Sequence, residues 1–344
     1  LSVLVFLLII SPCVNGQEYS FSIVRNDSLL RDKEFKRTTD FSSRLNSSEL
    51  RGKEYQKIIS QLRRVGHLNT RFDSVIKVDS LKQKAYLSTG RLYKWGVLAR
   101  GNVEGFVLRK AGFQNRVYTG KAISYKRISQ LMERILNYHE NNGYPFASVN
   151  LDSIETSGDE ISAVLRLKKG ELYEIDSLII EGDAKVKPVY LQNYLGIEPG
   201  DLYDESKIKK VSTRLEELPF VTEEKSTEAL FQDGKVKLKL FLKQKQASQF
   251  DGILGVLPDN ITGDVVITGD LKLKLQNSFG RGEIIDINWR KLQPRTQNLR
   301  AQFTYPFLFS TPFGIDLKLE LYKRDTLFLN LNRNIGVQFQ MSGN

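Results

Sequence analysis

Apolar and polar residues follow two rhythms along this chain, and the change between them falls near residue 245. Before it, apolar stripes at helical spacing alternate with short strand-like runs; after it only two-residue alternation remains. Tyr55, Ile58, Ile59, Leu62 and Val65 mark a first helix, with an opening strand at 19–24 and two more at 72–78 and 85–87. The polar stretch 26–48 has no clear period and is expected to be a loop or partly disordered. Ile128, Leu131, Met132, Ile135 and Tyr138 mark a second helix over 124–139, with Ser124 as N-cap and Gly143 as a left-handed stop. A strand at 93–98 precedes it, and strands at 146–154 and 161–168 follow, joined across Ser157-Gly158-Asp159. A third segment repeats the plan. A strand at 173–181 leads to a short helix opened by Pro188 and stopped by Gly196. A helix capped by Asp204 carries Ile208, Val211, Leu215 and Leu218, and strands at 222–231 and 236–243 turn at Asp233-Gly234.

The segments also share words. Thr89-Gly90-Arg91-Leu92-Tyr93-Lys94 recurs as Lys169-Gly170-Glu171-Leu172-Tyr173-Glu174, 80 residues on. The helix-ending Gly66 and Gly143 stand 77 residues apart. A period that long, in mixed helix and strand, predicts tandem small α+β units. Gly90 and Gly170 are expected to turn the chain, and Tyr93 and Tyr173 to pack at seams between consecutive units.

From residue 246 onward the parity of apolar positions stays in phase. Leu271, Leu273 and Leu275 alternate with charged or polar neighbours; so do Ile285, Ile287 and Trp289, then Leu299, Ala301, Phe303, Tyr305 and Phe307, then Ile315, Leu317, Leu319 and Leu321. Such alternation suits a soluble sandwich or a membrane barrel equally. Segments of about 8–11 residues match a tilted membrane-crossing strand. Aromatic residues near strand ends (Trp289, Tyr305, Phe307, Phe309, Phe313) match interfacial girdles, and both features favour the barrel.

The opening residues strengthen that preference. Residues 1–16 read as the apolar core and cleavage region of a secretory signal, with no initiator Met or basic start, so the chain is expected to begin inside its reading frame. The single cysteine, Cys13, lies within it, which leaves the mature chain without disulfide or thiol chemistry. A net charge of +11 raises nucleic acid as a partner. The lysines, however, sit singly between apolar residues, as in Lys235-Val236-Lys237-Leu238, with no basic run interleaved with aromatics. Solvated strand faces explain them, with some attraction to acidic lipid left open. No catalytic motif appears, and neither a cofactor nor a metal is expected. His67 and His139 lack ligand spacing and are expected as capping or surface residues, while Gly280-Arg281-Gly282 reads as a hairpin turn.

The order strand, helix, helix, strand, strand, with Gly-His or Gly-Tyr after a helix and the Gly-x-Leu-Tyr junctions, resembles the POTRA domain of outer-membrane assembly and secretion factors. On that resemblance residues 17–92 form an irregular POTRA-like unit, 93–172 a second and 173–245 a third. Residues 282–290, Phe303-Thr304-Tyr305-Pro306-Phe307 and Tyr322-Lys323-Arg324-Asp325-Thr326 resemble the early strands of the BamA/TamA-type surface-antigen barrel. Residues 246–344 would then hold about five or six of its strands. The family's Val/Ile-Arg-Gly-Phe/Tyr motif is absent, since Val103-Glu104-Gly105-Phe106 lacks the arginine, and the last residues lack an aromatic terminus. The barrel is therefore expected to be truncated, because so few strands leave open edges in lipid.

The resemblance implies a non-enzymatic outer-membrane assembly factor with its POTRA units in the periplasm. Its partners would be unfolded outer-membrane or secreted clients, outer-membrane lipid and accessory lipoproteins. Phe250, Gly252 and Gly255 would lie on the seam strand (250–257), and Ile285, Ile287, Trp289, Phe303, Tyr305, Leu317 and Leu319 would face lipid. Two alternatives remain: a two-partner-secretion pore, which typically has two POTRA units and a plug helix, and a non-membrane adhesin with a β-sandwich.

Overall fold

The computed structural model describes residues 18–259, 262–325 and 327–340. The leader expected at 1–16 with its Cys13, Asn260 and the final residues 341–344 lie outside them. Two compact units divide the chain. One holds the chain up to Leu136 together with Ser148–Lys168, and the other holds Asn137–Ala147 and the chain from Lys169 onward.

The first unit opens with β1 (Tyr19–Arg25), α1 (Asp32–Thr38), β2 (Arg44–Leu45), α2 (Ser48–Arg64), β3 (Arg71–Lys77) and β4 (Lys82–Ser88). The sheet order is β2-β1-β4-β3, with β1 parallel to β4. The stretch expected as loop or disorder is ordered: Leu30, Phe35 and Leu45 join Ile58 and Leu62 in one core. Its helix is two turns long and its strand two residues, too short for either rhythm to show, so burial rather than periodicity orders it. Val65, placed on the helix stripe by spacing, is the exposed C-cap.

Next come β5 (Lys94–Ala99), α3 (Gly105–Lys110), α4 (Asn115–Tyr118), α5 (Tyr125–Glu140), β6 (Ser148–Ser157) and β7 (Glu160–Lys168). The order β5-β7-β6, with β5 parallel to β7, repeats the central plan of the first sheet. Ile128, Leu131 and Ile135 of the predicted stripe are buried. The short helices α3 and α4 went unread in the sequence.

In the second unit, β8 (Glu174–Glu181), α6 (Pro188–Leu195), α7 (Glu205–Glu216), β9 (Val221–Gln232) and β10 (Lys235–Gln244) give the order β8-β10-β9, again with the first and last strands parallel. Pro188 opens α6, and Gly196 closes it at φ +66°. Asp204 caps α7, its carboxylate accepting from the N–H groups of Ser206 and Lys207. Leu238, Leu240 and Leu242 from the central strand are fully buried in the core.

Six antiparallel strands complete the unit: β11 (Gln249–Pro258), β12 (Val265–Gln276), β13 (Ile284–Gln293), β14 (Thr296–Tyr305), β15 (Phe313–Arg324) and β16 (Phe328–Phe339), paired in chain order. The alternation therefore did mark the strands. One residue departs from it. Phe307, read as the apolar end of a strand and part of an aromatic girdle, follows the end of β14 at φ +51° and turns into the core beside Tyr190, with ring centroids 5.8 Å apart. No described helix is long and apolar enough to cross a membrane, which says nothing about strands.

Candidate functional site

The two junctions are built alike. At the first, the Gly66 carbonyl accepts from Tyr93 N–H at 2.9 Å, and the Tyr93 carbonyl accepts from Ile123 N–H at 3.0 Å. At the second, the Gly143 carbonyl accepts from Tyr173 N–H at 2.8 Å, and the Tyr173 carbonyl from Tyr203 N–H at 2.9 Å. Both helix-ending glycines have positive φ, +109° and +90°. Both also lie where a Cβ would meet the leucine of the junction, Leu92 at 3.1 Å or Leu172 at 2.5 Å. The shared Gly-x-Leu-Tyr words thus encode one hydrogen-bonded corner used twice. Tyr173 packs edge-on against Phe146 and Phe231 (5.6 and 5.2 Å) and donates its hydroxyl to Glu171. Tyr93 is half-buried and accepts from the Asn69 amide at 2.7 Å.

The first corner has a polar support that the sequence did not reveal. Asp27 accepts from the Thr89 N–H and hydroxyl and from Gly90 N–H, at 2.7, 2.5 and 3.1 Å. Buried His67 places Nδ1 3.1 Å from the Gly90 carbonyl. Both histidines, expected as capping or surface residues, are buried near helix ends rather than on the surface. Burial raises the Asp27 carboxyl, but the hydrogen bonds from Thr89, Gly90 and Leu29 outweigh it and hold its pKa below the ordinary 3.8. A lowered folded value means stability that is complete above the unfolded carboxyl range and lost as pH falls below about 4. Asp27→Asn is expected to cost about 1 kcal/mol at neutral pH, the group being half-exposed, and to flatten the acid limb of the urea midpoint against pH. An unchanged acid limb would remove Asp27 from this role.

Each of the three small sheets keeps one free edge. The outer side of β1 is covered by β2, that of β5 by bridges to Thr119 and Ala122, and that of β8 by a bridge to Leu202. The opposite edges, β3, β6 and β9, have no strand beyond them among the described residues. β3 and β6 each carry a register shift, after Phe72 and Asp152, and β9 carries one on either side of Lys225. Such bulges limit uncontrolled edge pairing.

The six-stranded sheet has two unlike faces. Directly opposed residues share a face, and the register sets Ile285, Phe303 and Leu317 in one row, Ile287, Ala301 and Leu319 in the next, Trp289 beside Leu299, and Tyr305 beside Ile315. All seven residues singled out as lipid-facing therefore lie on one side. Arg333 interrupts that side, opposite Leu319. The other side carries a polar ladder: Arg290 with Asp270 at 2.7 Å, Arg300 with Glu320 at 3.0 Å, and Asp316 accepting from Gln302 and Thr304. Phe250, Gly252 and Gly255 fall on β11, the edge strand, whose ladder to β12 is unbroken. At Gly252 a Cβ would crowd the Leu271 side chain and approach the Asp270 carbonyl at 3.1 Å, whereas Gly255 has ordinary space. Packing thus accounts for the first glycine and leaves the second unexplained.

The turn between β12 and β13, read as a plain hairpin, is a docking element. Glu283, 1% exposed, accepts from the N–H groups of Phe279 and Arg281 at 2.5 and 3.1 Å. Asn277 accepts from Gly282 N–H and donates to the Lys185 carbonyl at 3.1 Å, while Lys187 N–H donates to the Gly280 carbonyl at 2.8 Å. The sheet is thereby held to the loop before α6. Among the described residues no group of three or more His, Cys, Asp or Glu side chains could hold a metal.

The POTRA family, described as a surface antigen variable number repeat, matches residues 173–245. No curated protein matches the chain. Similar solved structures include BamA from Haemophilus ducreyi lacking POTRA domains 1–3, at 15% identity over 72% of this chain and 46% of that one, TM-score 0.44. POTRA3–5 of Haemophilus influenzae BamA is similar at 14% identity over 67% and 98%, TM-score 0.46, and CdiB from Acinetobacter baumannii at 13% over 67% and 44%, TM-score 0.38. The chain spans less than half the length of the first of these. Residues 173–245 thus carry the POTRA match, and the α+β units precede a six-stranded antiparallel sheet.

Proposed function

We propose that this protein is an outer-membrane assembly factor of BamA/TamA type, whose POTRA arm holds unfolded clients in the periplasm and whose barrel templates their insertion. The observation that supports it most is a succession: a POTRA domain at 173–245 runs directly into six antiparallel strands with one apolar and one charged face. An extended client would add a strand to β3, β6 or β9, the uncovered edges, through main-chain hydrogen bonds that read little sequence. Each such bond nets about 0.5–1.5 kcal/mol, and ordering each client residue costs about 1–2 kcal/mol. Edge capture is therefore weak and reversible, which suits handing a client onward. In the sheet, β11 with Phe250, Gly252 and Gly255 supplies the templating edge, and the row through Ile285, Phe303 and Leu317 meets lipid. Outer-membrane or secreted proteins are the clients, and lipoproteins the accessory partners.

Depletion tests the reading. Many outer-membrane proteins are expected to fall together; loss of one secreted product alone would instead identify a dedicated secretion pore. Heat-modifiable gel mobility of the full-length protein is expected of a closed barrel, and its absence would favour a soluble β-sandwich.

A further inference from the structure

Between the docking turn and the third small sheet's first helix lies a cavity of about 460 Å³. One wall is apolar and belongs to the six-stranded sheet, with Phe303 and Tyr305 at the end of β14 and Ile315 near the start of β15. These residues stand on the same face as the row proposed to meet lipid. The opposite wall comes from α6 and the loop after Phe307. Two cations line the cavity, Lys187 from the loop before α6 and Arg281 from the turn. The Lys187 N–H to Gly280 carbonyl bond brings their backbones together. Arg281 donates to the Tyr305 hydroxyl at 2.7 Å, using one of five guanidinium donors. The nearby carboxylate, Glu283, is buried and directed at the backbone of the turn, so both cations remain exposed. Phe309, 88% exposed, lies at the rim.

We propose that this cavity binds an anionic phospholipid, with the phosphate on Arg281 and Lys187 and an acyl chain along Phe303, Tyr305 and Ile315. The chemistry has two halves that only a lipid satisfies together. A soluble phosphate would answer the cations and leave the aromatic wall and Phe309 in water. A zwitterionic lipid would cover the wall and offer the same phosphate, but its own cationic headgroup would be repelled by Arg281 and Lys187. The volume lies within the roughly 300–1,000 Å³ of small-molecule sites, enough for part of one lipid and too little for a folded partner. Aromatic residues and cations at the ends of membrane strands are where headgroups lie. The site rests on the reading that the sheet lies in a membrane. On that reading, strand ends nearest the POTRA domain meet the periplasmic leaflet, and a lipid there would join the turn, the domain and the sheet.

The test uses the full-length protein in detergent, with native mass spectrometry of bound phosphatidylglycerol against phosphatidylcholine of the same acyl chains. Each cation is worth about a five-fold preference for an anionic headgroup, so about 25-fold is expected for the pair. Arg281→Gln with Lys187→Gln is expected to bring the two lipids close to parity, and Lys187→Gln alone to lose about five-fold should the double variant misfold. Lys209→Gln with Lys210→Gln, an equal charge change on α7, is expected to keep the preference. Inorganic phosphate at tens of millimolar is expected to leave the lipid bound. The proposal is overturned by parity in the unaltered protein, by an unchanged preference in the cavity variants or by an equal loss in the α7 control. Displacement by inorganic phosphate would likewise overturn it, revealing a plain anion site. Heat-modifiable mobility of the same samples separates the two failures: a heat shift without lipid preference sinks the site alone, and no heat shift sinks the membrane reading.

Discussion

Gly282→Ala is expected to detach the six-stranded sheet from the POTRA domain while leaving both folded. Gly282 has φ +71°, and a Cβ there would overlap Cε2 and Cζ of Tyr190, a ring fixed in the core. A left-handed non-glycine residue costs about 1–2 kcal/mol, and forcing a group into a packed core about 1–3 kcal/mol. Together they set the loss at about 2–5 kcal/mol, concentrated where the turn meets the loop before α6. Hydrogen exchange reads it directly. The amides of Lys187 and Gly282, bonded to the Gly280 carbonyl and the Asn277 side chain, should lose protection by about 30-fold or more, at 1.4 kcal/mol per tenfold, while those of β10 and β13 keep theirs. Gly200→Ala is the control, since φ there is +91° with nothing within 4 Å of the added carbon. It isolates backbone strain from collision. Equal behaviour of the two variants would mean that Tyr190 does not govern the docking.

Tyr173→Ala is expected to be the most destabilising change at the second junction. The ring is 9% exposed and packs with Phe146 and Phe231, and Phe231 also meets Tyr203 at 5.4 Å. Removing a buried aromatic ring costs about 3–5 kcal/mol, because the surrounding rings cannot collapse into the space. Tyr173→Phe removes only the hydroxyl bond to Glu171 and is expected to cost below about 1 kcal/mol. Urea unfolding of both variants checks the pair. Comparable losses would show that the hydroxyl, and not the ring, holds the corner. Tyr93, half-buried and without a comparable ring cluster among the described residues, should tolerate alanine better than Tyr173.

Much of the fold is legible in the sequence because local rules set it. Asp204, Pro188 and Gly196 act through capping and φ preferences that need no distant partner. Alternation around Leu271, Ile285 and Leu317 marked strands because one face of a sheet is chemically unlike the other. The junction words were visible as a repeat, yet their meaning, a glycine carbonyl paired with a tyrosine amide, appears only when residues 27 or 30 positions apart meet.

Sequence alone thus determined where the longer strands and helices run, the tandem plan of α+β units, the change to a two-faced sheet near residue 245 and the family resemblance. Those are properties of neighbours along the chain. Tertiary structure alone decided that residues 26–48 pack into a core, that Phe307 leaves its strand for the POTRA domain, that Asp27 and His67 brace Gly90, and that Glu283 turns a hairpin into a dock. In each case a burial or hydrogen bond between distant residues overrides a weak local signal. Periodicity records which side of an element is apolar; it carries no record of what that side will meet.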